Sequence, residues 1–174
     1  ICFILYVVTD LFHFPAGDKN YLNATEDETI EFGTPKVDIE NYPSNYAEQW
    51  ILIVPEGRKV QINFDIFELE DSEDCKNDYV EFREASIMVG DPKRIYGHFG
   101  PILTGRLCGN AKPNSILSQG NMVWVQFASD RNSTTVRKGF KASFKAGVLQ
   151  QSGVLGLSFV TRHVSSFISF SFGK

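Results

Sequence analysis

The residues best suited to chemistry lie in one short stretch, FELEDSEDCKNDYVEF, at residues 67–82. Six carboxylates between positions 68 and 78 gather around Cys75: Glu68, Glu70, Asp71, Glu73, Asp74 and Asp78. Carboxylates held close together repel one another unless something neutralises their charge. Calcium is a hard cation that takes about six to eight oxygen ligands, commonly several carboxylates with carbonyls and water. The stretch therefore points to calcium binding, with a solvated acidic loop as the alternative.

Composition limits the classes of partner. The chain has 174 residues, enough for one domain with its own core, and its formal net charge is −4. Nucleic acids and anionic membrane surfaces attract basic patches, so the slightly acidic balance favours neither partner. We expect no nucleic-acid binding and no membrane insertion.

The termini and two sequons bear on where the protein acts. Residues 1–17 begin with the apolar run ICFILYVV and resemble part of a signal peptide, with a mis-joined fragment or a buried first strand as the alternatives. Asn23-Ala24-Thr25 and Asn132-Ser133-Thr134 are candidate glycosylation sites. These features favour a secreted glycoprotein, although sequons also arise by chance.

The middle of the chain reads as an all-β fold. Residues 59–67 alternate, with Val60, Ile62, Phe64 and Ile66 on one face, and GFKASFK at 139–145 places Phe140, Ala142 and Phe144 on one face. Further short strands are expected at 50–54, 78–82 and 121–127, separated by turns that contain Gly, Pro and Asn. This rhythm predicts an antiparallel β-sandwich.

The flanking segments lack that rhythm. Residues 18–33 are acidic and polar, which predicts a linker. Residues 147–174 are expected to be an extension outside the domain, with an additional hairpin as the alternative. The domain itself is expected at residues 34–146.

A set of separate motifs across this domain resembles the CUB family. They are NYPSNY (41–46), Trp50, VPEG (54–57), FELE (67–70), Cys75 with Asp-Tyr-Val from three residues later, LCG (107–109), SQGNMVWVQFASD (118–130) and GFKASF (139–144). The resemblance implies a jelly-roll β-sandwich that acts as an interaction module of secreted or cell-surface proteins and is not an enzyme. It also implies a Cys75–Cys108 disulfide. The family's Cys-x-Trp pattern is replaced by Glu48-Gln49-Trp50, so the other usual disulfide is expected to be absent.

The resemblance also implies a metal site. In calcium-binding members, three acids converge at positions that correspond here to Glu70, Asp78 and Asp130. Oxygens just beyond the third acid fall on Asn132 and Ser133, and Tyr46 matches a tyrosine that orients the acidic ligands. Such a calcium-ordered rim receives a Lys or Arg side chain from a partner protein. A glycan on Asn132 would crowd that rim, so either this sequon is unoccupied or the module binds elsewhere.

Two other functions compete with this interpretation. The chain could be a fragment of a secreted protease in which CUB domains sit beside a catalytic domain. Neither His-Glu-x-x-His nor Gly-x-Ser-x-Gly occurs in this sequence, so any proteolysis would then reside outside it. It could also be a glycan-binding domain like the CUB-only proteins of seminal plasma. The parent transcript would test the first alternative, and a glycan array would test the second.

Overall fold

The computed structural model describes residues 19–88, 91–96, 100–132 and 137–149. Within these ranges the secondary structure is almost entirely strand, with one short 3-10 turn at Glu73–Cys75. The strands are β1 (Asn20–Asn23), β2 (Thr29–Gly33), β3 (Ala47–Ile53), β4 (Arg58–Glu68), β5 (Tyr79–Glu84), β6 (Ser86–Met88), β7 (Asp91–Tyr96), β8 (Ile116–Leu117), β9 (Met122–Ala128) and β10 (Gly139–Leu149). No helix in these ranges is long and apolar enough to cross a membrane.

The strands form two main sheets. One has the order β1-β3-β9-β5 and the other β2-β10-β4-β8, while β6 and β7 form a separate two-stranded ribbon. All pairings are antiparallel except that of β1 with β3, which is parallel. The predicted β-sandwich is thus confirmed.

The core lies between the two sheets and is rich in aromatic side chains. Phe140, Ala142 and Phe144 of β10 are fully buried, as their alternation with lysine and serine predicted. The ring of Phe140 lies 5.9 Å from that of Trp50, on the facing sheet, and 6.0 Å from that of Phe127. These edge-to-face and tilted contacts fix the two sheets against each other.

Strand β4 departs from its predicted alternation at a bulge. Lys141 of β10 pairs with Ile66, but the next residue, Ala142, pairs with Phe64, so Asp65 is the extra residue on β4. An extra residue reverses the side-chain pattern beyond it. Consequently Phe67 is buried, at 5% exposure, whereas Ile66 is only partly buried.

The expected linker at residues 18–33 is incorrect over two segments, because β1 and β2 both belong to the sandwich. Among the strands that the structure describes, each is outermost in its sheet and pairs with one neighbour. Such strands bury few side chains, here mainly Phe32 with partial cover of Leu22 and Ile30. This explains why the sequence of the segment is polar.

The expected boundary at residue 146 also needs correction, since β10 continues to Leu149. Residues 1–17 and 150–174, expected to be a signal-like segment and most of an extension, lie outside the described residues.

Candidate functional site

Strand register brings two of the predicted acids to one end of the sandwich. Tyr79, the first residue of β5, pairs with Ala128, the last residue of β9. Asp78 therefore enters β5 where Asp130 leaves β9. The backbone N–H of Asp130 donates a hydrogen bond of 2.8 Å to Asp78 Oδ1. We call Glu70, Asp78 and Asp130 together the acidic edge.

Glu70 joins them from the end of β4. Leu69 is fully buried and anchors the chain there. The N–H of Leu69 donates to the carbonyl of Gly109 (2.9 Å), and the N–H of Gly109 donates to the carbonyl of Glu70 (3.3 Å). Glu70 is buried, at 8% exposure. Its Oε1 accepts a hydrogen bond of 2.6 Å from the amide of Asn77.

Tyr42 links Glu70 to Asp78. Its hydroxyl donates to Asp78 Oδ2 (2.5 Å) and accepts from the backbone N–H of Glu70 (3.0 Å). Its ring packs edge-to-face on Phe127 at 5.3 Å, which ties the hydroxyl to the core. Burial and the hydrogen bond to Asp78 raise the pKa of Tyr42, so the phenol stays protonated and remains a donor.

The loop that contains Tyr42 is hydrogen-bonded to the segment that contains Asp130. The N–H of Asn45 donates to the carbonyl of Asp130. Two hydrogen bonds join Ser129 to Tyr46. The N–H of Ser129 donates to the carbonyl of Tyr46 (2.8 Å), and the N–H of Tyr46 donates to the hydroxyl of Ser129 (3.0 Å). The loop at 41–46 therefore lies against the exit of β9.

Asp78 is the most constrained carboxylate of the group, with 2% exposure. Burial raises its pKa, while the hydrogen bonds from Tyr42 and the Asp130 N–H lower it. The nearby charges of Glu70 and Asp130 raise it further. Burial and the neighbouring charges together make a negative charge on Asp78 less favourable than on a free carboxylate.

The other acids of the stretch behave as a solvated loop. Asp71, Glu73 and Asp74 are exposed, and Glu73 pairs with Lys76 at 3.2 Å. Glu68 lies 4.0 Å from the ammonium of Lys138. Exposed pairs of this kind contribute little to stability.

A disulfide joins Cys75 to Cys108, as expected from the family resemblance, with 5.5 Å between the Cα atoms. Cys75 stands between Glu70 and Asp78 in sequence, and Cys108 precedes the Gly109 that bonds to Glu70. Asp74 and Cys75 have φ values of 55° and 49°, in the left-handed region. The crosslink holds this strained loop beside the acidic edge.

The other residues predicted for the site are Asn132, Ser133 and Tyr46. Asn132 is exposed, and its N–H donates to Asp130 Oδ1 at 2.7 Å. Ser133 lies outside the described residues. The hydroxyl of Tyr46 donates to Glu48 at 2.6 Å, so the tyrosine that contacts two of the acids is Tyr42. Both tyrosines belong to NYPSNY, and sequence alone did not distinguish their hydroxyls.

The acidic edge unites the three predicted acids by hydrogen bonds. Among the described residues, however, no group of three or more His, Cys, Asp or Glu side chains is arranged to hold a metal ion. Donors from Asn77, Tyr42 and the Asp130 backbone engage oxygens of Glu70 and Asp78. The oxygen donor set suits calcium in chemistry, and calcium binding stays a prediction.

Solved structures with the same fold include several CUB domains. The CUB1-EGF-CUB2 domains of rat MASP-1 match with a TM-score of 0.61 and 24% identity, over 79% of this chain and 48% of that one. The MASP-1 CUB2 domain bound to Ca²⁺ matches with a TM-score of 0.52 and 24% identity, over 73% and 97%. The extracellular region of zebrafish Gpr126/Adgrg6 gives 0.53 and 27%, over 75% and 15%.

Among curated proteins, cubilin of Canis lupus familiaris is 38% identical over 60% of this chain, and tolloid-like protein 2 of Homo sapiens is 36% identical over 64%. The chain spans 2% and 9% of their lengths, respectively. The family model for the CUB domain matches residues 23–144, which include β2 to β9 together with the acidic edge. The chain belongs to the CUB domain family.

Proposed function

We propose that this CUB domain is an extracellular protein-interaction module whose acidic edge binds calcium and then receives a basic side chain of a partner. CUB domains are interaction modules and are generally not catalytic, which gives the broad class. We propose three further properties of this domain: calcium dependence, an extracellular location and a partner with a basic side chain.

The observation that carries the proposal is the burial of Asp78 beside two other acids. A carboxylate with 2% exposure, next to Glu70 and Asp130, is unfavourable as an anion without a compensating cation. A bound calcium ion would supply that compensation. The Ca²⁺-bound MASP-1 CUB2 domain shares this fold and gives independent support.

The side chains proposed to hold the ion are Glu70, Asp78 and Asp130, with oxygens of Asn132 and Ser133 completing the set. When bound, calcium supplies positive charge that fixes the carboxylates. Tyr42 holds Asp78 and the backbone of Glu70 in place through its hydroxyl. The amide of Asn77 competes with the ion for Glu70 Oε1.

The partner is proposed to contribute a Lys or Arg side chain. A single divalent ion leaves part of the charge of three carboxylates uncompensated. Oriented carboxylate oxygens form charge-assisted hydrogen bonds with ammonium or guanidinium groups. The acidic edge then contributes to specificity and to the rate of association more than to raw affinity.

An extracellular location has two supports. The Cys75–Cys108 disulfide is typical of oxidising compartments. One structure with the same fold belongs to the extracellular region of a larger protein.

Thermal unfolding in calcium and in chelator tests the proposal. We expect the midpoint of the wild-type protein to rise in calcium, because the ion binds only the folded state. Asp130→Asn should abolish this rise. Glu73→Gln is the matched control, because it removes an exposed acid of the β4–β5 loop, one whose carboxylate pairs with Lys76, and it should keep the rise.

The partner is tested with a Lys-rich peptide, an Arg-rich peptide, a neutral peptide of equal length and a glycan array. Calcium-dependent binding of a basic peptide that Asp130→Asn removes would support the proposal. Binding that persists unchanged in chelator, or that occurs only on glycans, would contradict it.

A further inference from the structure

The end of β1 carries a candidate modification site. Asn23 is the last residue of β1 and is exposed, and it opens the sequon Asn23-Ala24-Thr25. A glycan is bulky, so a folded domain accepts one only where the asparagine reaches solvent. Asn23 meets this condition.

The local backbone fixes the direction of the Asn23 side chain. Leu22 packs against the core, so its neighbours in β1, Tyr21 and Asn23, face the other way. After the strand, Ala24 is buried and its N–H donates to the carbonyl of Ile53 (2.9 Å). Asn23 is therefore held between a paired strand and a buried anchor.

An exposed aromatic ring lies on the same face. Tyr21 is 49% exposed, so about half of the surface of its side chain is open to a neighbouring group. Residues i and i+2 of a strand are roughly 6.6 Å apart along its axis, which is about the width of one sugar ring. Aromatic rings present an apolar face, and the C–H groups of a sugar can pack against it.

The position of Asn23 leaves the acidic edge open. β1 runs parallel to β3, and Asn23 lies level with Ile53 at the far end of β3. The acidic edge adjoins the other end of β3, where Ala47 pairs with Ala128. Seven residues of strand separate the two ends by about 20 Å. The exposed Asn132, in contrast, bonds directly to Asp130.

We propose that Asn23 carries an N-linked glycan whose first sugar packs against the ring of Tyr21. In the transfer, the side-chain nitrogen of Asn23 bonds to the anomeric carbon of a lipid-pyrophosphate oligosaccharide. The bond from that carbon to the pyrophosphate oxygen breaks, and the nitrogen loses one proton. The inference rests on the extracellular part of the proposed function and is independent of calcium.

Occupancy is tested by expressing the full 174-residue chain behind a cleavable secretion leader in mammalian cells. Intact mass and peptide maps are recorded with and without peptide-N-glycosidase, on chain from both the medium and the secretory organelles. We expect Asn23→Gln and Thr25→Ala each to remove one glycan. Asn132→Gln should leave the Asn23 glycan in place. An unmodified Asn23 peptide in the wild-type chain would overturn the proposal.

Packing on Tyr21 is tested by thermal unfolding of wild type and Tyr21→Ala, each fully glycosylated, trimmed to one sugar, or deglycosylated. In the wild type, complete removal should lower the midpoint by a few degrees, whereas trimming should not. In Tyr21→Ala, removal should change the midpoint much less. Equal losses in the two backgrounds would overturn the packing. Calcium-dependent shifts measured on the same samples report the proposed function separately, so each can fail alone.

Discussion

Tyr42 is the residue on which the geometry of the acidic edge most depends. Its hydroxyl bonds to a carboxylate oxygen of Asp78 and to the backbone N–H of Glu70, which lie near the two ends of the β4–β5 connection. Because Glu70 is buried, its N–H has little access to water if the tyrosine oxygen is removed.

We predict that Tyr42→Phe lowers the free energy of unfolding by about 1–3 kcal/mol, since it leaves a buried donor without its acceptor and Asp78 without a donor. Tyr46→Phe is the matched control. The ring of Tyr46 also packs near Phe127, but its hydroxyl donates to the partly exposed Glu48 and not to an acid of the acidic edge. Its loss should be smaller, below about 1 kcal/mol.

Denaturant unfolding in chelator measures both variants without a contribution from calcium. Equal losses for the two would show that Tyr42 has no special part at the acidic edge. The family resemblance placed the orienting hydroxyl on Tyr46. Two tyrosines four residues apart in one irregular loop give no periodicity from which to check that assignment. The bond from Tyr42 to Asp78 spans 36 positions and depends on tertiary structure.

At the scale of elements, the loop between β4 and β5 is held by the Cys75–Cys108 crosslink and by the Glu70–Gly109 backbone bond. The half-cystines are 33 positions apart. In the chain-entropy model, closing a loop of this length stabilises the folded state by about 3–4 kcal/mol.

We predict that the double variant Cys75→Ala/Cys108→Ala unfolds with a free energy lower by roughly that amount, about 3–4 kcal/mol. It should also bind calcium more weakly, because the loop that carries Glu70 and Asp78 loses its anchor. Denaturant unfolding and calorimetric calcium titration measure the two effects. A variant with unchanged calcium affinity would show that the disulfide serves the fold alone.

The strands also show which side-chain directions sequence alternation can predict. Alternation predicted the inward residues of β10 correctly, because that strand is a central one with one face toward the core. Alternation predicted the wrong direction for Ile66, because the residues before Asp65 alternate regularly and do not indicate the bulge there. It also missed β1 and β2, since outermost strands with few buried side chains resemble a linker in composition.

At the scale of the whole molecule, one aromatic cluster joins the sheets. Phe140 is fully buried and contacts Phe32 on its own sheet, at 5.9 Å, and Trp50 and Phe127 on the other. We predict that Phe140→Ala lowers the free energy of unfolding by about 3–5 kcal/mol, through lost burial and the cavity left behind.

Leu117→Ala is the control, because Leu117 is 44% exposed on the short outer strand β8, and it should cost less than about 1 kcal/mol. Denaturant unfolding of both variants measures the difference. Similar losses of unfolding free energy in the two variants would show that Phe140 is not central to the core.

The whole molecule thus has two distinct ends. The acidic edge lies where β5 begins and β9 ends, and the candidate glycan site lies at the far end of β3. The proposed partner and the proposed glycan therefore belong to opposite ends of β3 and do not compete for space.

Calcium at the acidic edge is the central claim, and a crystal structure of the full chain grown at saturating Ca²⁺ tests it most directly. We predict one ion within about 2.3–2.6 Å of side-chain oxygens from Glu70, Asp78 and Asp130 together. A structure in which the ion is bound elsewhere, or in which Glu70 still accepts from Asn77 and no ion touches these three acids, would contradict the claim.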